Sequence, residues 1–342
     1  MGACLTLAGV LASCAPATGS PAGSPPGPSV SPPLSSPVAE AAFVVQLVGD
    51  APVLDGSQTG QEWVLPAALT YADDAYHLWG ATFDQENSVD PRGYYATSPD
   101  GVAWAVATDD PMAGITLDLS LPGPIPGTVL REPDGTWVMW FWGIPAPAQR
   151  GAVLFRAVAP HPAGAWTAEP EPVLRGSQGD WDGFGLDYPS VVRTDEGYLM
   201  LYGGSSQAAP NEVAIGIATS PDGVTWMREP GPALRPGLCG SFDARSLNIP
   251  RLQLTDDGYL LFYNGLPDDI SAHASVGVAS SEDGFTWACA GEAPALVGSD
   301  IPDSEGIHVI AVAATAPGPE FLVESLQGAS SALWLGDAVP VD

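Results

Sequence analysis

The sequence predicts an all-β fold: a five-bladed β-propeller with four antiparallel strands per blade, closed by an N-terminal strand in blade 5. Three observations predict it: a turn-rich composition, a repeat near 61 residues, and a leading strand that supplies what the last repeat lacks. The chain of 342 residues holds 40 Gly and 36 Pro, far above ordinary usage and adverse to long helices. Its 45% apolar content is enough to build a core, which excludes global disorder. Forty acidic residues stand against ten Arg and no Lys, a formal charge of −30. Such a chain repels phosphate backbones and anionic headgroups, which excludes nucleic acid and an electrostatic membrane patch as partners.

The first element is a leader. Residues 5–12 form an apolar run, too short to span a bilayer as a helix. The run ends in Leu11-Ala12-Ser13-Cys14, which resembles a bacterial lipobox and implies a signal peptide over 1–14 with lipidation at Cys14. Residues 15–38 contain eight Pro, six Ser and three Gly and read as an extended tether. The expected location is therefore extracytoplasmic, with a lipid anchor as the sole membrane attachment. Cys239 and Cys289 then remain where disulfides persist, either bridged or as two buried thiols.

The repeats follow, over 41–342. Ala96-Thr-Ser-Pro-Asp-Gly-Val-Ala-Trp104, Ala218-Thr-Ser-Pro-Asp-Gly-Val-Thr-Trp226 and Ala279-Ser-Ser-Glu-Asp-Gly-Phe-Thr-Trp287 agree closely, and a degenerate copy ends at Trp166. The tryptophans are 62, 60 and 61 residues apart. A second mark, a Pro opening an apolar run, recurs at Pro66, Pro126, Pro189 and Pro250. The third is an aromatic strand closed by Gly, as in His77-Leu-Trp-Gly80 and Phe262-Tyr-Asn-Gly265. Asp-Gly between β-rich runs marks a tight hairpin turn, and four short strands per unit of this size make a propeller blade. The fifth unit, from Gly306, lacks a last strand, and Phe43-Val-Val-Gln-Leu47 stands one period before Trp104 to supply it. That pairing leaves no free edge between the chain ends.

Ser-Pro-Asp-Gly-Val-Thr-Trp in a five-blade ring, with Pro-initiated inner strands and Tyr-Gly second strands, resembles the five-bladed glycoside hydrolase group. That group includes the arabinanases and xylosidases of family 43, the invertases of family 32 and the mannoside phosphorylases of family 130. The resemblance covers 41–342 as architecture and implies a glycan ligand; the chain is expected to be a monomer. It departs at one place: families 32 and 43 carry an Asp directly before the Pro of the first inner strand, where this chain has Leu65. The second blade also lacks a carboxylate immediately before its Pro126.

The loops entering the inner strands frame one mouth of the axial channel, and their side chains are the site candidates. They carry Glu62 and Trp63 in blade 1, and Trp181, Phe184, Asp187 and Tyr188 in blade 3. Blade 4 adds Arg245 and Asn248, and blade 5 adds Glu305 and His308. Aromatic faces stack on sugar C–H surfaces, and a carboxyl pair about 5–9.5 Å apart can cleave a glycosidic bond as acid and base or nucleophile. Asp187 or Glu62 is the candidate base and Glu305 the candidate acid. Trp63, Trp181, Phe184, Tyr188, Arg245, Asn248 and His308 are candidate substrate contacts. Glu305-Gly-Ile-His308 is similar to the Glu-Gly-Pro that holds the family 43 acid. His308 is similar to the channel histidine that helps arabinanases hold a calcium or water; no other cofactor is expected.

Repetition argues for structure rather than chemistry. The Trp-Asp of blade 3 and Phe-Asp of blade 4 share one repeat position, so Asp182 and Asp243 are expected to pin loop amides. The repeated Trp side chains pack blade on blade, and the Ser-x-Asp-Gly side chains tie their own turns. No nucleotide loop, zinc motif or nucleophilic Ser elbow is present. Two functional classes remain: a carbohydrate-active enzyme that hydrolyses or phosphorolyses a glycosidic bond, and a non-catalytic propeller that binds glycan or protein.

Overall fold

The computed structural model describes residues 42–83, 92–107, 110–147, 151–313 and 321–341. The chain divides into Met1–Glu40 and Ala41–Asp342; the leader, the tether and Cys14 lie outside the described residues. Among the described residues the strands form five antiparallel sheets. Blade 1 runs Trp63–Ala72, Ala75–Phe83, Arg92–Ser98 and Ala105–Val106. Blade 2 runs Leu119–Arg131, Trp137–Pro145, Val153–Ala159 and Thr167–Ala168. Blade 3 runs Gly185–Thr194, Gly197–Ser205, Ala214–Ser220 and Met227–Arg228. Blade 4 runs Ser246–Thr255, Gly258–Leu266, Ser275–Ser281 and Ala288–Cys289.

Blade 5 has the expected closure. Gly306–Val312, Phe321–Gln327 and Ser330–Val341 come from the C-terminal end, and Ala42–Leu47 from the other. The leading strand pairs with Ser330–Val341 from Ala42↔Val341 to Leu47↔Gly336. Inner strands pack in succession, and that of blade 5 returns to blade 1, so the arrangement is circular.

Each sequence mark has a physical job. The Pro that opens each inner apolar run falls at or beside a β-bulge, between Pro66/Ala68, Pro126/Thr128, Asp187/Ser190 and Asn248/Arg251. A bulge has a residue unpaired in the ladder, so a side chain without an N–H costs nothing there, and the bend re-aims its neighbours. The bends before Pro189 and Pro250 put Tyr188 and Ile249 at φ +43° and +52°. The Ser-x-Asp-Gly turns close on themselves: Asp222 Oδ1 accepts from the amides of Val224 and Thr225, and Ser220 Oγ from that of Gly223. The repeated Trp packs on the preceding blade, as Trp226 does edge-on against Trp140 at 6.2 Å.

Seams between blades are apolar clusters stitched by hydroxyls. Thr70 donates to the Val129 carbonyl at 2.5 Å, and Ser190 Oγ accepts from the Leu252 amide at 2.7 Å. Ser331 Oγ joins the ends of the ring, accepting from the Val64 amide at 2.9 Å.

The mouth loops of blades 3 and 4 are tied to the outermost strand of their own blade. Cys239 and Cys289 are bridged, which resolves the alternative the sequence left open. In blade 3 the equivalent tie is ionic: Arg228 pairs with the fully buried Asp182 and with Asp180 at 3.3 Å. Asp243 meets its expectation, accepting from the Cys239 amide at 3.3 Å and from the Tyr263 hydroxyl at 3.0 Å. Asp182 binds side chains instead, those of Tyr202 and Arg228.

Candidate functional site

The bulges aim a set of polar side chains at the axial mouth. Asp187, at the bend in the inner strand of blade 3, lies over Gly203, where any Cβ would collide with the carboxylate. It is half-buried, and its Oδ1 meets no protein partner. Burial raises its pKa to about 7, because a charge removed from water without compensation prefers its neutral form. Tyr188 packs at 5.3 Å from Trp142 of blade 2 and beneath the Arg251 guanidinium at 5.9 Å. Burial raises the Tyr188 pKa, helped by the charges of Asp187 and Glu324 and opposed by that of Arg251. These four groups, from blades 3, 4 and 5, therefore share one electrostatic neighbourhood.

Arg251 closes the axis. It follows Pro250 on the inner strand of blade 4 and is 3% exposed. Its Nε donates to the Ile310 carbonyl of blade 5 and its Nη2 to the Ala67 carbonyl of blade 1, both at 2.9 Å. Burial lowers its pKa to about 10, so it stays a cation at neutral pH. Further along the inner strands lies a channel cavity of about 150 Å³ lined by Thr70, Thr128 and Ser190.

On the blade 5 side, fully buried Glu324 accepts from or donates to His308 Nδ1 at 3.1 Å, according to the proton's position. Burial alone would lower the His308 pKa, but the Glu324 charge and hydrogen bond raise it on balance. Asn264 Nδ2 donates to the His308 carbonyl at 2.6 Å. Tyr94 of blade 1 feels the Glu324 charge, and burial raises its pKa.

Eleven buried polar side-chain atoms among the described residues lack a protein partner, five of them on Arg156, Trp166, Trp181, Asp182 and Asp243. Trp63 Nε1, Tyr94 Oη, Trp142 Nε1, Asp187 Oδ1, Asn264 Oδ1 and Glu324 Oε1 are buried without a protein partner. They come from all five blades, and each such group costs free energy unless something satisfies it.

The other sequence candidates are distributed as follows. Glu305 and Glu62 are exposed; the Glu305 amide donates to Leu326, and the Glu62 carbonyl accepts from Ser331. Trp63 stacks on Phe83 with centroids 5.5 Å apart. Trp181 stacks on Tyr202 at 6.0 Å and lies against Gly204 and Gly216, as a packing group of blade 3. Phe184 is half-buried and joins its backbone to Gly151 and Ser205. Arg245 is half-buried with its amide on Leu266. Buried Asn248 turns Oδ1 back on the Ile249 amide at 2.8 Å. No group of three or more His, Cys, Asp or Glu among the described residues could hold a metal ion. His308 and Glu324 alone do not fit a calcium, which takes six to eight oxygens.

Sequence reasoning missed Glu324, Arg251, Tyr94, Trp142 and Asn264. Glu324 and Arg251 had a usable signal: each puts a charge inside a buried apolar strand, which is costly unless it serves a site.

No family model and no curated protein matches this sequence. Solved structures do match. A glycosyl hydrolase from Bacteroides ovatus superposes at TM-score 0.63 with 16% identity, over 89% of this chain and 97% of that one. A structure reported with the finding that the GH130 family of mannoside phosphorylases contains glycoside hydrolases targeting β-1,2 mannosidic linkages in Candida mannan gives 0.61. Its identity is 17%, over 87% and 94% of the two chains. A family 117 glycoside hydrolase produced by the marine bacterium Zobellia galactanivorans gives 0.61 at 14% identity, over 88% and 92%. The chain shares the five-bladed fold with these glycoside hydrolases. At such identities the likeness is one of fold.

Proposed function

We propose that this protein is a carbohydrate-active propeller that cleaves a glycosidic bond, by hydrolysis or phosphorolysis, at the mouth framed by Asp187, Tyr188, Arg251, His308 and Glu324. The observation that carries the reading is Asp187, a desolvated carboxyl with a pKa of about 7 and an unpartnered oxygen. Such a group is half protonated at neutral pH and suits a general acid delivering its proton to the leaving oxygen. The sequence reading gave the acid role to Glu305; desolvation transfers it to Asp187 in this proposal. Glu324, buried against His308, is the second carboxyl, with exposed Glu305 and Glu62 as alternatives for the attacking side. The likeness to glycoside hydrolase structures supports the carbohydrate class.

The same proposal places the chain outside the cytoplasm on a lipid at Cys14, as a monomer. The Cys239–Cys289 bridge supports an oxidising compartment. Mass spectrometry of the membrane fraction should find acylated Cys14, and none in Cys14→Ser.

A screen of chromogenic glycosides, with and without phosphate, tests the activity. Asp187→Asn should lower turnover about 10²–10⁴-fold, less for aryl glycosides whose leaving group needs no proton. Activity untouched in both Asp187→Asn and Glu324→Gln would remove the site assignment. One observation favours a second reading, a non-catalytic glycan-binding ring: buried Leu65 stands where families 32 and 43 carry an Asp. Glycan binding by the wild type without any turnover would select that reading.

A further inference from the structure

A cleft beside the mouth lies between blades 1 and 2, and nothing in the proposed chemistry uses it. Its volume is about 220 Å³, below the ~300–1,000 Å³ of sites for drug-sized ligands. Ala67 lines it, the residue whose carbonyl holds Arg251, so the cleft reaches the axis. Gly80 also lines it, and the ring of Tyr94, which feels Glu324, lies directly against that glycine. At the rim stand exposed Arg92 and Asp110. Arg92 has no ion pair among the described residues. Asp110 spends Oδ1 on the Met112 amide at 2.9 Å. The walls are Met112, Ile115 and the Pro124-Ile125-Pro126 segment, whose prolines lack N–H and present C–H surface.

We propose that this cleft is a second sugar subsite, taking one neutral monosaccharide ring next to the unit held at the axial mouth; it rests on the carbohydrate reading above and extends it. The apolar wall receives the C–H face of a sugar ring. Arg92 donates to hydroxyls and Asp110 accepts from them, the two poles that a vicinal diol needs. Among the described residues the rim carries one cation and one anion, and the −30 formal charge of the chain opposes a uronate. Its size admits one ring. The substrate is accordingly a neutral oligosaccharide of at least two units, read at two places.

The test uses the full chain, a panel of neutral methyl glycosides, the matching disaccharides and hexuronic acids, with affinity measured by calorimetry. Disaccharides should bind about tenfold or more tightly than the corresponding monosaccharides. Ala113→Trp, which fills the cleft from an exposed rim position, should erase that advantage and leave monosaccharide affinity unchanged. Ala81→Leu, at another lining position, should do the same. Equal affinity for both lengths, or a length advantage that survives both variants, overturns the subsite while leaving the mouth intact. Hexuronates binding more tightly than neutral sugars, and losing this with Arg92→Gln, overturns the neutral assignment. Absence of binding across the panel overturns the subsite together with the carbohydrate reading.

Discussion

Blades 3 and 4 are the same construction carrying different cargo. Both have an aromatic-Asp pair in the mouth loop, a Tyr whose hydroxyl meets that Asp, a bend with positive φ, and a Pro at the bulge. The position that is Asp187 in blade 3 is Asn248 in blade 4, each just before a bulge. Asn248 satisfies its oxygen on the Ile249 amide, whereas Asp187 leaves an oxygen unpartnered and holds its proton to near neutrality. The loop ties differ too: Arg228 and Cys289 occupy equivalent positions, opposite Ala218 and Ala279. Repetition marks the scaffold, and the positions where two repeats diverge mark either the chemistry or a second way of doing one mechanical job.

The sharpest break of this comparison is Asp187→Asn, which gives blade 3 the side chain of blade 4. Beyond the loss of turnover, it should change the pH dependence of stability. Between about pH 4 and pH 7 folded Asp187 holds a proton that the unfolded chain has lost, so stability falls as pH rises through that window. The raised pKa of His308 adds the same sign, its contribution being lost as pH rises above the ordinary histidine value. Urea unfolding at pH 5 and pH 8 should show a decline in the wild type, and the Asp187→Asn substitution should remove about 2–3 kcal/mol of it. A variant with an unchanged slope would mean Asp187 is hydrated.

Next in size is the ionic tie. Arg228→Ala leaves fully buried Asp182 with only the Tyr202 hydroxyl, and should cost about 3–5 kcal/mol of unfolding free energy. A loss below about 1 kcal/mol, the scale of an exposed pair, would show that the loop of blade 3 stands without it. The covalent tie closes a separation of 50 residues. The double variant Cys239→Ser/Cys289→Ser should lose about 2–4 kcal/mol, with reduction of the wild type giving a similar value. The smallest effects belong to the shared hydroxyls. Tyr202→Phe and Tyr263→Phe should each cost about 1–2 kcal/mol, since each Asp keeps a second donor, Arg228 for Asp182 and the Cys239 amide for Asp243. A cost above about 3 kcal/mol for either would mean that the second donor does not share the load.

The ring was legible because its information is local and repeated. Ser-x-Asp-Gly turns, a Pro at each bulge and an aromatic strand recur at one spacing, so each copy checks the others. The role of Phe43–Leu47 followed from counting strands, and the pairing to Ser330–Val341 bears it out. The site was legible only in part. Asp187, Tyr188 and His308 were named because they fall where loops enter the inner strands. Trp181 sat in the same loop yet packs on Tyr202 within its own blade. Glu324 read as part of an apolar strand, and its meeting with His308 depends on which face of that strand turns inward.

The sequence by itself determined the strand period, the number of blades and their closure, since tight turns, bulges and packing tryptophans act over a few residues. Only the tertiary structure decided which of forty acidic residues lose their water. That property depends on what the neighbouring strand and other blades place around a carboxyl: Gly203 of blade 3 lies against Asp187, and Tyr188 beside it feels Arg251 of blade 4 and Glu324 of blade 5. Convergence on an axis is a relation among side chains far apart along the chain, and no local pattern encodes it.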